Sequence, residues 1–151
     1  MTRTPPTAAF SLVELMVVVA ISGILAVIAI PNYIDMQLKA KRGEIPVAID
    51  GIRTCESAYA SSFDTYRAAP VQPRPDSDLN KTMHEWVSSP EWDALGYFPN
   101  GHVRGNYQVL AGETDFTVVG HGDMDNDDTL VVFTASTSLE SAITGPTVNV
   151  F

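Results

Sequence analysis

The chain contains very little cysteine and few basic residues, and both shortages exclude classes of function. Cys55 is the single cysteine among the 151 residues, so the chain can form no internal disulfide and no multi-cysteine zinc site. Lysine and arginine together number 9 against 18 aspartates and glutamates, which gives a formal net charge of −9. A chain of this charge lacks the basic surface that binds phosphate backbones, and we expect no nucleic-acid partner.

Sequence motifs of catalysis are also lacking. His84, His102 and His121 are isolated, because none has the second histidine four residues away that a helical zinc site requires. The sequence has neither a nucleophile elbow nor a glycine-rich phosphate loop. We therefore predict that the protein is not an enzyme and requires no cofactor.

The sequence does contain one long apolar run, FSLVELMVVVAISGILAVIAI over residues 10–30, in which Glu14 is the only charged residue. A helix of about 20 apolar residues rises about 30 Å and can cross the hydrocarbon core of a bilayer. An ordinary core helix would carry a polar stripe, which this run lacks. A cleaved signal peptide would have a shorter run and a small-x-small site where Pro31 follows here. The run therefore predicts a single membrane-spanning helix.

Glu14 is the unusual residue of this run. A carboxylate inside a membrane segment costs a few kcal/mol, so it needs a partner and becomes a candidate functional residue. It could also lie at headgroup depth near the start of the helix, where the helix dipole favours negative charge. Its position alone does not choose between these two interpretations.

The residues around Glu14 form a specific pattern. The chain reads AFSLVELM over residues 9–16, continues as an uninterrupted apolar run through Gly23, and then reads Ile30-Pro31-Asn32-Tyr33. This pattern, which covers roughly the first quarter of the chain, resembles the N-terminus of type IV prepilins and of the related pseudopilins of type II secretion.

The resemblance implies processing of the N-terminus. A prepilin peptidase would remove a leader of residues 1–9 by cutting between Ala9 and Phe10, and would methylate the new amine of Phe10. Glu14 would neutralise the amine of a neighbouring subunit inside a filament. Ala9 stands where the family normally has glycine, so we expect the bond to be cut, but more slowly.

The resemblance also assigns assembly roles to Phe10, Glu14, Gly23 and Pro31. Gly23 and Pro31 flank a stretch where the helices of such proteins can melt in a filament, although both residues could equally be ordinary helix punctuation. Other pilin subunits, the prepilin peptidase and an inner-membrane assembly platform are the implied partners.

The location of the C-terminal domain is predicted in two opposite ways. Lys39, Lys41 and Arg42 follow the apolar run whereas only Arg3 precedes it, so the positive-inside rule would place the domain in the cytoplasm. The resemblance implies the reverse: a single-pass inner-membrane precursor with a periplasmic domain, and an extracellular filament at the cell surface after assembly. We follow the resemblance.

Beyond residues 10–30, three further segments are distinguished by their patterns. Residues 31–66 are the amphipathic half of a long helix, interrupted at Gly43 and Pro46. Its predicted buried face consists of Ile45, Ile49, Ile52, Cys55, Tyr59, Phe63 and Tyr66, spaced three or four residues apart. Residues 67–102 form a proline-rich connection with two short helices, one starting at Ser77 and running through Trp86, and one starting at Ser89 and ending at Gly96.

The last segment, residues 103–151, is predicted to form an antiparallel sheet. Its strand-like runs are residues 103–110, 115–119, 129–135 and 147–151, separated by glycine-containing turns. A long N-terminal helix packed on about four antiparallel strands is an α+β fold. The resemblance to pilins implies the same fold.

Residues 122–129 are strongly acidic. Asp123, Asp125, Asp127 and Asp128 could turn oxygen atoms toward a calcium ion. The loop is not an EF-hand, because Asp128 stands where glycine is required and Thr134 where the terminal glutamate is required. The alternative is a solvated hairpin tip, since aspartate and asparagine favour turns.

Three functions remain compatible with the sequence. The first is a structural subunit of a type IV pilus, and the second is a pseudopilin of a type II secretion machine. The third is a low-abundance tip or adhesion subunit whose connecting loop contacts a surface through Trp86, Trp92 and Tyr97. These aromatic residues could instead cover the edge of the core.

Overall fold

The computed structural model describes residues 10–144, and the boundary between two compact units lies between Gln37 and Leu38. The helices are α1 (Leu12–Arg42), α2 (Glu44–Phe63) and α3 (Pro90–Leu95), and the strands are β1 (Ala69–Gln72), β2 (His84–Glu85), β3 (His102–Val103), β4 (Asn106–Ala111), β5 (Phe116–Gly122), β6 (Val131–Ser136) and β7 (Ala142–Ile143). The predicted α+β class, with a long N-terminal helical region and an antiparallel sheet, is confirmed.

The two helices α1 and α2 meet at Gly43, where the sequence predicts an interruption. Gly43 lies in a turn, and its N–H still bonds the carbonyl of Lys39 at 3.2 Å. Pro46 is the third residue of α2 and does not interrupt it, because residues in the first turn of a helix have no carbonyl four residues earlier to bond within that helix. Pro31 lies inside α1, which continues past it.

Helix α2 buries one face in the core of the second unit. Ile45, Ile49 and Ile52 are fully buried. Their spacing leads next to Glu56, which is also fully buried, whereas Cys55 is only half-buried and Phe63 is 64% exposed. The predicted apolar face was therefore wrong at Cys55 and Phe63, because the four-residue step from Ile52 to Glu56 follows the helix period more closely than the three-residue step to Cys55. Tyr59 and Tyr66 are half-buried and pack against the core as predicted.

The main sheet has five antiparallel strands in the order β1-β4-β5-β6-β7, and β2 and β3 form a separate pair. Every second residue of β5 and β6 is buried, as expected for a sheet covered on one face. Helix α2 lies close over β5, because a side chain at Gly120 would place its Cβ 2.7 Å from Cδ1 of Ile49. Glycine at this position allows the helix to approach the sheet.

Predicted strands and helices match the structure unevenly. Strands β4, β5 and β6 lie within a few residues of three predicted runs, and the fourth run, residues 147–151, lies outside the described residues. Helix α3 begins after Ser89 and ends at Gly96 as predicted. The predicted helix through Trp86 was wrong: a 3₁₀ turn covers only Asp76–Asp78, and β2 follows. Strand β1 was missed because its segment contains proline, which argues against a strand. The strand forms at the edge of the sheet, where Pro70 is tolerated.

Hydrogen bonds tie the segment after β6 to α2. Arg53 donates from Nε to the carbonyl of Ser136 at 3.0 Å. Asp50 accepts the Ser141 N–H at 3.2 Å and the Ser141 hydroxyl at 2.9 Å. These contacts connect residues more than 80 positions apart, so they hold this region to the helix in a chain that cannot form an internal disulfide.

Candidate functional site

Ser11 and Glu14 form a reciprocal pair at the start of α1. The Ser11 N–H donates to Oε2 of Glu14 at 3.0 Å, and the Glu14 N–H donates to the Ser11 hydroxyl at 3.3 Å. This is a capping box, which satisfies two N–H groups that a helix start otherwise leaves unpaired. Sequence analysis missed it, although the spacing Ser-x-x-Glu before an apolar run is its usual signal.

The surface of α1 is apolar over residues 12–30, and no residue of the helix is buried. All of its residues, Leu12–Arg42, lie in the described part of the chain, and every one is exposed or half-buried. Phe10 precedes the helix and is 82% exposed. The helical stretch that contains α1 is long and apolar enough to cross a membrane. So much uncovered apolar surface requires lipid or other protein around it.

The remaining predicted assembly and processing residues are placed as follows. Gly23 has open space around its Cα, since a Cβ built there meets no atom within 4 Å. Next to Pro31, Asn32 donates from its side-chain amide to the carbonyl of Ile28 at 3.0 Å, which gives that backbone group a local partner. Ala9 lies outside the described residues. The structure therefore describes the C-terminal side of the predicted cleavage bond.

Three of the four predicted calcium ligands converge. Oxygen atoms of Asp123, Asp125 and Asp127 lie within 4.8 Å of one another. Burial raises the pKa of Asp125, and the nearby charge of Asp127 raises it further. Within residues 10–144, the buried Oδ1 of Asp125 has no hydrogen-bond partner. The cluster thus has the oxygen-only chemistry that calcium prefers.

Asp123 also organises the loop itself. It is buried, and its two carboxylate oxygens accept the N–H groups of Asn126 at 2.6 Å and Asp128 at 3.3 Å. Asn126 and Asp128 have positive φ values of 67° and 64°, which asparagine and aspartate tolerate better than most residues. The carboxylate of Asp128 is not part of the converging group, so its contribution here is a backbone N–H.

The three aromatic residues of the connecting loop lie together. Trp92 is fully buried and donates from Nε1 to the carbonyl of Pro70 at 2.9 Å. Trp86 packs edge-on against Trp92 and Tyr97, with ring centroids 5.1 and 5.7 Å apart, and both Trp86 and Tyr97 are half-buried. Trp92 therefore belongs to the core, as the alternative interpretation of these residues predicted.

The three histidines lie in different surroundings. His84 is buried in β2 and lies opposite Val103, whereas His102, which lies opposite Glu85, is exposed. His121 has Nδ1 3.2 Å from both Oδ1 of Asn106 and Oδ1 of Asp76. The contact between His121 and Asp76 joins β5 to the 3₁₀ turn, so it holds two parts of the fold together.

Glu56 is a buried ionisable residue that the sequence pattern did not reveal. Burial raises its pKa to about 7, and the hydrogen bond from the Arg67 N–H, 3.2 Å long, partly opposes that shift. Its Oε1 atom is buried without a hydrogen-bond partner within residues 10–144. A predicted buried face that follows 3.6 residues per turn from Ile45 would have included Glu56.

Comparison with known proteins identifies the N-terminal segment. Residues 6–30 match the family model of the prokaryotic N-terminal methylation motif. The chain is 44% identical over 62 residues to the type IV major pilin protein PilA of Myxococcus xanthus strain DK1622, a match covering 41% of this chain and 28% of that protein. It is 49% identical over 45 residues to the fimbrial protein of Moraxella nonliquefaciens, covering 30% of this chain and 29% of that protein.

These matches confirm that the N-terminus resembles that of prepilins, and each match covers less than half of this chain. The chain matches less than a third of the length of either relative. No solved structure matches the chain. The chain thus carries a prepilin methylation motif over residues 6–30, and the segment that follows the apolar helix belongs to an α+β fold.

Proposed function

We propose that the protein is a structural subunit of a type IV pilus. One observation carries this proposal: residues 12–30 of the methylation motif lie in α1 and present apolar side chains on all sides of the helix, and no residue of this fully described helix is buried. A helix of this kind is stable in lipid, and it is also stable when the same helices of neighbouring subunits surround it. Both relatives are named as pilin or fimbrial proteins, which supports the second environment.

Processing comes first in the proposed sequence of events. A prepilin peptidase cuts between Ala9 and Phe10 and methylates the new amine. The capping box keeps Ser11 as the residue before the helix, so Phe10 stays outside the helical hydrogen bonds. The new amine, on Phe10, is therefore four residues before Glu14 in the chain and lies at the same end of α1.

Assembly then pairs Glu14 with the amine of another subunit. Within residues 10–144, the Glu14 carboxylate accepts the Ser11 N–H, and that bond does not neutralise its charge. In a membrane or a filament core, an opposite charge stabilises a carboxylate far more than it does in water. Helix-against-helix packing between subunits then covers the apolar surface of α1.

The processing step is tested on the protein purified from its own cells. We expect N-terminal sequencing and mass spectrometry to show a mature chain beginning with N-methylated Phe10. A chain that retains Met1 in cells with an active prepilin peptidase would contradict the proposal, and would leave a membrane-anchored domain of another function.

Two related functions use the same N-terminus and are separated by the phenotype of a deletion strain. A pilus subunit is found along the whole length of sheared filaments, and its loss removes them. Loss of a type II secretion pseudopilin instead leaves secreted enzymes inside the cell, and a tip subunit is detected only at filament ends. The burial of Trp92 removes one of the surface residues that the tip role would use.

Calcium binding by Asp123, Asp125 and Asp127 stays a prediction. The convergence of their oxygens supports it, and the role of Asp123 in forming the turn supplies an explanation without an ion. Calorimetry with calcium measures binding of the ion, and thermal unfolding measures its effect on stability.

A further inference from the structure

The loop between the 3₁₀ turn and β2 contains a tripeptide that the proposed filament role does not use. Asn80-Lys81-Thr82 is the only Asn-x-Ser/Thr sequence in the chain, counting all six asparagines. This sequence, with any residue but proline in the middle, is the acceptor signal for N-linked glycosylation of exported proteins. The loop lies in the described part of the chain, so its geometry can be compared with that chemistry.

The side chains of the tripeptide are arranged around the Asn80 amide. The Thr82 N–H donates to Oδ1 of Asn80 at 2.9 Å, and the Thr82 hydroxyl donates to the same oxygen. The amide nitrogen Nδ2 makes one longer bond, of 3.3 Å, to the carbonyl of Asp78. Both donors on Oδ1 stabilise negative charge on that oxygen, so they favour loss of a proton from Nδ2.

The tripeptide is accessible to an enzyme at the protein surface. Lys81 and Thr82 are exposed, and Asn80 is half-buried, with its hydrogen bonds lying at the protein surface. The preceding residue, Leu79, is 7% exposed and anchors the loop in the core. Residues 79–83 are neither helical nor part of a strand, so binding to an enzyme would break no helical or sheet hydrogen bonds.

We propose that Asn80 is an acceptor for N-linked glycosylation. The donor is an oligosaccharide carried on a lipid pyrophosphate. The Nδ2 atom attacks the anomeric carbon and forms the new N–C bond, while the bond between that carbon and the pyrophosphate oxygen breaks. The lipid pyrophosphate leaves with the electron pair, and the amide proton passes to a basic group of the transferase.

This inference rests on the proposed function, because lipid-linked oligosaccharides are used on the outer face of the membrane. A pilus subunit places its second unit, and hence Asn80, on that face. The two proposals can nevertheless fail separately, since the acceptor chemistry of the loop and the membrane topology of the chain are measured by different experiments.

The first experiment examines the protein from its own cells by peptide mass spectrometry. We expect the tryptic peptide of residues 68–81 to carry the mass of a saccharide. The modification should be lost in Asn80→Gln and in Thr82→Ala, and retained in Thr82→Ser, which keeps the hydroxyl. Asn100→Gln is the matched control: Asn100 is exposed but is followed by Gly101 and His102, so its loss should change nothing.

The second experiment supplies the donor directly. The full chain in detergent micelles is mixed with a purified bacterial oligosaccharyltransferase and its lipid-pyrophosphoryl oligosaccharide, and transfer is followed by intact mass. Transfer to wild type and Thr82→Ser, but not to Asn80→Gln or Thr82→Ala, supports the acceptor. Failure of transfer to the wild-type chain, with a known acceptor peptide modified in the same mixture, overturns it.

A phosphatase fused to the C-terminus reports the topology separately. An active phosphatase together with an unmodified 68–81 peptide overturns the acceptor proposal and leaves the pilus function standing. An inactive phosphatase contradicts the proposed topology, and the micelle reaction then decides the acceptor proposal alone.

Discussion

Ser11 and Glu14 hold each other at the start of α1, because each side chain accepts the backbone N–H of the other residue, at 3.0 and 3.3 Å. The pair gives the helix a defined first turn next to the predicted cleavage site. It also aligns the Glu14 carboxylate at the helix end whose dipole favours negative charge. The capping bond is the role of Glu14 within the chain, and mutation can separate it from the proposed pairing between subunits.

Replacing Glu14 by glutamine should abolish filaments while the protein still inserts into the membrane. Glutamine keeps the size of the side chain and can still accept the Ser11 N–H, but it cannot neutralise an amine. Sheared filaments and the membrane fraction are measured by immunoblot. Glu113→Gln, in an exposed turn, is the control and should assemble normally. Normal filaments from the Glu14 variant would exclude the pairing between subunits.

Replacing Ser11 by alanine removes the cap but keeps the Glu14 charge. Loss of a serine cap costs about 1 kcal/mol of helix stability. We therefore expect filaments in reduced amount rather than none, measured in the same shearing assay. Complete loss of filaments would show that the hydroxyl of Ser11, and not only the charge of Glu14, is required for assembly.

Glu56 should make the stability of the domain fall between about pH 4.5 and pH 7. Its pKa is raised by burial to about 7, so the folded state binds a proton that the unfolded state has already released over this range. Stability from this group is therefore complete below pH 4.5 and is lost as the pH rises through 7. Glu56→Gln should leave the melting temperature nearly unchanged at pH 4 and raise it at pH 8, by the equivalent of about 1–3 kcal/mol.

The measurement is thermal unfolding of the full chain in micelles at several pH values. The difference in melting temperature between Glu56→Gln and wild type must increase with pH, since glutamine cannot titrate. A difference that stays constant from pH 4 to pH 8 would show that Glu56 does not carry the pH dependence. Asp64→Asn, at the exposed C-terminal cap of α2, is the control for a general effect of removing one charge.

Calcium should stabilise the domain if Asp123, Asp125 and Asp127 bind it. A ligand at one hundred times its dissociation constant adds about 2.7 kcal/mol to the free energy of unfolding. We expect calorimetry to detect binding to the full chain, and Asp125→Asn to abolish it. Asp128→Asn should bind with affinity within about threefold of wild type, because the Asp128 carboxylate is outside the converging group and asparagine tolerates its positive φ. No heat and no rise in melting temperature would exclude the site.

Gly120→Ala should destabilise the domain by roughly 1–3 kcal/mol, the usual cost of overpacking a core. The added Cβ would lie 2.7 Å from Cδ1 of Ile49, so either the Ile49 side chain must change its rotamer or α2 must move away from β5. Gly51→Ala is the matched control within α2, because its Cβ would meet Tyr97 at an ordinary 3.4 Å and alanine favours the helix. Denaturant titration of both variants in micelles measures the difference. Equal stability of the two variants would contradict the close helix-to-sheet packing.

Features carried by neighbouring residues could be predicted without the structure, and so could the order of the main elements. The apolar run of residues 10–30, the break at Gly43 and the short helix between Ser89 and Gly96 depend on local backbone preferences. Three strands followed from alternation and turn residues. Strand β1 and the brief β2 were missed. A proline-rich segment forms a strand only where a partner strand is available for pairing, and the local sequence does not show that partner.

Composition and spacing along a single segment were enough to predict the long apolar helix, the position of Glu14 within it and the resemblance to prepilins. The burial of Glu56 rather than Cys55, and that of Trp92, became apparent only in the folded chain. It also brought Asp123, Asp125 and Asp127 together without the carboxylate of Asp128. The physical reason is that burial and convergence depend on which distant residues pack against a side chain, and a local pattern does not specify those partners.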